Sequence, residues 1–113
     1  MKVLQINTDG SMLMQDIGGT VEAQNERIWN MLGGFFDIVR LGKIVRLGKD
    51  AAMLVDDEGF LKHLPLNPAA MMISGYPELA GTALIVGVQM TDDGEIFIDC
   101  PQRYHDLVRK EST

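Results

Sequence analysis

The chain is short of the residues that usually carry out chemistry. One cysteine and two histidines stand among 113 residues. A lone cysteine excludes an intrachain disulfide and fits a reducing cytoplasm. These few soft ligands are set far apart and give no zinc-site spacing. There is no Walker loop, and no G-x-G-x-x-G follows a strand-like run. Neither common phosphate-cradling loop is therefore available, and no cofactor is expected. No apolar run approaches the roughly 20 residues of a membrane span, so no membrane contact is expected. Residues 1–7 turn polar too soon for the apolar stretch of a signal peptide. Basic residues are also scarce: Lys and Arg number 10 against 16 Asp and Glu, a net charge of −6. Phosphates attract Lys/Arg surfaces, so this balance argues against direct nucleic-acid binding. It suits a protein that blocks a nucleic-acid-binding protein.

What remains is an ordinary globular composition. Hydrophobic residues make up 46% and charged residues 23%, enough for one modest core and too apolar for wholesale disorder. The length fits one domain over residues 1–113. Eight methionines beside few aromatics fit an adaptable core, or a contact surface in a homodimer.

Taken in order, Lys2 to Ile6 alternates like a strand, Asp9-Gly10 is a hairpin turn, and Ser11 to Ile17 is a return strand. Thr20 is a good N-cap, and Glu22 sits in a first turn where the helix dipole favours an anion. Val21, Ile28, Trp29 and Leu32 share a helical face, and Gly33-Gly34 stops it. The pattern predicts a helix over 21–32 with Trp29 as its core anchor; a stacking platform is the alternative role for that ring. Ala51 to Val55 reads as a strand that ends in an acidic turn, Asp56-Asp57-Glu58-Gly59. Asn67-Pro68 opens a short helix through Ile73, closed by Gly75. Thr82 to Val88 is apolar on both parities, as a strand covered on both faces would be, and Gly87 marks a bulge or a close approach. Asp92-Asp93-Gly94 is a turn, Ile96-Phe97-Ile98 a last strand, and Pro101 opens a final helix through Tyr104, Leu107 and Val108, followed by a polar tail at 110–113.

The segment Ile38-Val39-Arg40-Leu41-Gly42-Lys43 is repeated without change as Ile44-Val45-Arg46-Leu47-Gly48-Lys49. A six-residue unit is too short for a solenoid. Being even, it leaves the in/out parity of a strand intact. It predicts a lengthened hairpin arm over 38–49, turning at Gly42 or Gly48. The alternative is a basic arm that contacts a partner or a second subunit.

Two acidic turns and one Cys/His pair are the visible candidates for chemistry. Asp56-Asp57-Glu58 and Asp92-Asp93-Gly94-Glu95 lack the spacing of a calcium loop and read as solvated tips. Cys100 with His105 would need an orienting group and an oxyanion site, and Pro101 follows the cysteine directly. Asn67 and the amides behind it form a candidate anion site, although the side chain is suited to capping those same amides.

Five stretches carry a family resemblance. They are Lys2-Val3-Leu4-Gln5-Ile6, Leu32-Gly33-Gly34-Phe35-Phe36-Asp37-Ile38-Val39, Val55-Asp56-Asp57-Glu58-Gly59, Leu64-Pro65-Leu66-Asn67-Pro68-Ala69 and Gly81-Thr82-Ala83-Leu84-Ile85-Val86-Gly87. In this order and spacing the chain resembles the short phage and conjugative-element proteins grouped as domain of unknown function 3846. Those proteins typically have Tyr and Glu where this chain has Phe36 and Asp37, and they lack the second copy of the repeat. The resemblance implies an accessory protein of a mobile element, working in the cytoplasm of the host cell. It implies no established activity. Such accessory proteins often counter host defence by binding.

The expected fold is α+β: a mainly antiparallel sheet of about five or six strands with two main helices and one short one. The expected function is non-catalytic binding that counters host defence. In one version the protein sequesters a small nucleotide signal, with Arg40, Arg46, Asn67 and Tyr104 as ligand residues. In the other it is an acidic inhibitor of a host defence nuclease or effector, with Asp56, Asp57 and Glu58 facing the partner. A small enzyme acting on a nucleotide through Cys100 is the third reading.

Overall fold

Local punctuation in the sequence sets most element boundaries. The computed structural model describes residues 1–40, 50–59 and 61–112. Its elements are β1 (Lys2–Ile6), β2 (Met12–Asp16), α1 (Val21–Leu32), β3 (Phe36–Arg40), β4 (Ala51–Asp56), α2 (Pro68–Ser74), β5 (Ala83–Thr91), β6 (Gly94–Ile98) and α3 (Gln102–Ser112). The segment assigned to a polar tail is thus helical backbone as far as Ser112. Thr20 Oγ1 accepts the Ala23 amide at 3.2 Å and starts α1. Gly33 stops that helix in the left-handed region, φ 91°, donating its amide to the Trp29 carbonyl. A side chain would strain this position. Asn67 caps α2, with Pro68 at the first helical position.

The strands form one antiparallel sheet of six among the described residues, in the order β2-β1-β5-β4-β3 with β6 also on β5. β5 is the axis. β4 runs along one edge of it, opposite residues 83–87. The other edge is shared end to end: β1 pairs with residues 83–85 and β6 with residues 87–91. The joint is sealed where the Cys100 amide donates to the Lys2 carbonyl at 2.8 Å and the Lys2 amide donates to Asp99 Oδ1 at 2.9 Å. Gly87 lies at this joint, and a Cβ there would sit 2.1 Å from the Asp99 carbonyl oxygen. The glycine therefore permits a close approach and does not break the strand, which continues to Thr91.

Helices cover both faces. α1 lays Ile28 and Leu32 over Val3, Ala52, Leu54, Leu84 and Val86. On the opposite face α2 and α3 bring Ala70 and Tyr104 against Leu4, Ile6, Met53, Ala83 and Ile85. Every residue of β4 is buried, which is why Ala51 to Val55 is an unbroken apolar run although the sheet is antiparallel. Met53, Leu54, Leu84 and Ile85 are fully enclosed, each contributing about 1.5–3 kcal/mol of transfer free energy.

Trp29 departs from its expected role as core anchor. It is 37% exposed and meets Phe35 edge-on, with ring centroids 5.3 Å apart. The buried stripe of α1 is set by the four-residue step from Ile28 to Leu32, and Trp29 is rotated about 100° from Ile28 and about 60° from Leu32, to one side of that line.

The loops at one end of the sheet are joined by Asn67. Its side chain has no exposure. Nδ2 donates to the Ile6 carbonyl at 3.0 Å and to the Gly81 carbonyl at 2.9 Å, while Oδ1 accepts the Ala70 amide at 3.1 Å. Its backbone amide reaches the Leu79 carbonyl, and the Gly81 amide reaches Pro65, each at 2.8 Å. One amide side chain thus holds β1, the lead-in to β5 and the first turn of α2. Asn67→Ala removes a donor from each of two buried carbonyls and the acceptor of the Ala70 amide, and should cost about 3–5 kcal/mol in urea unfolding. Asn67→Asp keeps the cap but aims a carboxylate at two carbonyl oxygens. It should also be strongly destabilised near neutral pH; wild-type stability in that variant would show that the two donated bonds matter little.

Candidate functional site

The residues expected to bind a ligand are placed very differently from one another. Asn67 is the interior clamp just described. Tyr104 is 4% exposed and belongs to the core. The Arg103 guanidinium lies 4.8 Å above its ring centroid, and Arg103 also forks onto the Asp50 carboxylate. Burial pushes the Tyr104 hydroxyl up, while the Arg103 bond holds Asp50 below the usual carboxylate value. Arg40 ends β3 in register with Ala52. Arg46 and the second copy of the repeat lie outside the described residues. Neither Asn67 nor Tyr104 presents its side chain to solvent.

Cys100 and His105 are close in space but not coupled as base and nucleophile. The imidazole Nε2 is 3.0 Å from the Cys100 carbonyl oxygen, and the thiol turns toward the Pro101 carbonyl at 3.7 Å. Burial pushes the thiol up to about 12, which disfavours a thiolate near neutral pH. No cluster of three or more His, Cys, Asp or Glu among the described residues could hold a metal ion. No helix among them is long and apolar enough to cross a membrane.

The acidic turn after β4 divides into an inner and an outer part. Asp56 was expected on a solvated tip facing a partner. Its side chain is instead 1% exposed, paired with Lys62 at 2.8 Å. Its other oxygen accepts the Glu58 amide at 2.9 Å. Lys62 Nζ also donates to the Gly33 carbonyl at 2.9 Å, at the C-terminal end of α1. The physical reason is a helix end that needs a cation near its carbonyls, and a cation that needs a carboxylate. Burial raises the Asp56 carboxyl, but the Lys62 and Glu58 bonds outweigh that, and the net displacement is downward. Asp57 and Glu58 are exposed.

This ion pair positions a surface that the sequence reading did not identify. Asp57 donates its amide to the Phe35 carbonyl at 3.1 Å, so the acidic turn and the backbone of Phe35 are neighbours. Phe35 is 69% exposed and leans on Trp29. Leu61, at 79% exposure, projects from the same turn. Aromatic side chains displayed from anchored backbone are enriched at protein-binding surfaces, where polar groups form the rim. One signal was present in the sequence. Two aromatics flank the glycines that stop α1, a place where side chains leave the core face.

The architecture is that of a three-layer α+β domain, an antiparallel sheet with α1 on one face and α2 and α3 on the other. The chain belongs to the family described as Domain of unknown function (DUF3846), which matches residues 1–110. Comparison with curated proteins and with solved structures returned no match.

The Asp56–Lys62 pair gives a pH signature. The folded Asp56 carboxyl titrates below its ordinary value of 3.8. Its stabilising contribution is therefore complete above that value and is lost as pH falls through the lower folded value. Urea midpoints measured between about pH 6 and pH 2 should fall more steeply for the wild type than for Asp56→Asn. Parallel curves would remove Asp56 from the acid response.

Proposed function

We propose that this protein acts by binding another protein through the corner formed by Trp29, Phe35, Asp57, Glu58 and Leu61. The observation that carries this reading is the exposed Trp29–Phe35 pair, with the Phe35 backbone tied to the acidic turn that the Asp56–Lys62 bridge anchors. The family resemblance supports a setting for it: an accessory protein of a phage or mobile element, in the host cytoplasm, that occludes a host defence nuclease or effector. Net negative charge suits an inhibitor whose target is built to hold phosphate. Binding accounts for the corner without asking Cys100 for a thiolate.

Sequestration of a nucleotide would need Arg side chains, free amides and a ring on one open surface. Asn67 and Tyr104 are committed to the interior, which is why we favour a protein as the occupant. Immobilised protein incubated with bacterial extract should retain a partner stoichiometrically. The double variant Trp29→Ser, Phe35→Ser should lose it while keeping its far-ultraviolet dichroism. Retention by that variant would overturn the assignment to this corner. A nucleotide released on heating the purified protein and identified by mass spectrometry would favour sequestration instead.

A further inference from the structure

We infer that the partner of this corner presents arginine: a basic protein segment whose guanidinium groups stack on Trp29 and Phe35 and pair with carboxylates on both sides of them. This deepens the protein-binding reading above and rests on it.

The carboxylates come from two separate elements. Asp57 and Glu58 are exposed on the turn beside Phe35. Glu22 and Glu26 are exposed on α1. Their spacing from Trp29, at i−7 and i−3, puts them on the stripe that leads along the helix to that ring. The aromatic pair therefore lies between two acidic strips. Neither Glu22 nor Glu26 enters an ion pair among the described residues.

Two physical points follow. Like charges four residues apart on a helix repel each other, so Glu22 and Glu26, although Glu22 also answers the helix dipole, together suit an incoming cation well. The cation is arginine because the surface asks for two things at once. A planar, weakly hydrated guanidinium can lie on a ring face and fork onto a carboxylate, whereas an ammonium is a compact and strongly hydrated charge. The same acidity argues against a second copy of this chain as occupant, since two such corners would repel.

Trp29 is the only tryptophan, so its emission reports on this corner without a label. The probe is an acetylated, amidated peptide of alternating arginine and glycine with four arginines, compared with its lysine counterpart. Titration of the full chain with the arginine peptide should change Trp29 emission saturably. The lysine peptide should bind about five-fold more weakly. The combined variant Glu22→Gln, Glu26→Gln, Asp57→Asn, Glu58→Gln should bind the arginine peptide about ten-fold more weakly, with unchanged dichroism. These substitutions are near-isosteric and solvent-facing. If the combined variant does not fold, the two pairs Glu22/Glu26 and Asp57/Glu58 are neutralised separately, each with a smaller expected loss. A flat titration to about 1 mM peptide, equal response to both peptides, or equal affinity in the neutralised protein would overturn the inference. Should a partner be captured in a Trp29- and Phe35-dependent way while the peptide titration stays flat, protein binding stands and the arginine assignment falls. If capture is indifferent to Trp29 and Phe35, the corner itself is wrong.

Discussion

The fold depends on one buried amide. Asn67 has no contact with water, and its two donors and one acceptor close three chain segments upon each other. An aliphatic side chain would fill the space but leave backbone groups unpaired in a dry interior, where each costs more than a typical bond gains. A carboxylate would add charge without donors. This requirement ties residues 64–69 to residues 81–87 in space, because Asn67 bonds the Gly81 carbonyl and the Gly81 amide reaches Pro65. Leu66 and Ala80 form an isolated bridge beside the clamp, and β5 begins immediately after it. These residues build the sheet end. They need carry no chemistry of their own.

The exposed corner is built on a second polar constraint of a different kind. Lys62 joins a buried carboxylate to the carbonyl of Gly33, the residue that caps α1. It ties the helix end, the diglycine turn and the β4 turn to one another. The rings of Trp29 and Phe35 are thereby displayed from anchored backbone, which lowers the ordering cost of any partner that uses them. The two constraints lie on different parts of the molecule, one inward and one at the surface. A change to one need not disturb the other.

Much of the fold was legible because it was written in local punctuation. The first strand, the 21–32 helix, the Thr20 and Asn67 caps and the glycine stops need only nearest neighbours to be read. The two-sided burial of β5 was visible as apolar residues on both parities, whereas Ala51 to Val55 read only as a strand. The surface was far less legible. Trp29 shares a helical stripe with Val21 and Leu32 on paper, and only the sheet beneath decides that Ile28 and Leu32 define the buried line. Asp56 looked identical to Asp57, because the partner that draws it inward, Lys62, lies beyond the turn. Asn67 showed its capping role but not its bonds to Ile6 and Gly81, which are set by tertiary contact. The double meaning of Tyr104, a ring under a guanidinium and also core, was hidden for the same reason.

The shared edge of β5 has a consequence for how the chain reaches its final form. The bond from the Lys2 amide to Asp99 spans 97 positions, so β1 cannot be locked at both ends until the chain has been made as far as Asp99. Closing so long a loop costs conformational entropy before any contact repays it, and such non-local topologies fold slowly. During synthesis the N-terminal hairpin must wait as an unfinished sheet edge with its apolar faces uncovered. The final hairpin and helix arrive last and seal it. A ribosome that stalls shortly before them would release a chain with an open edge of the kind that pairs with other chains.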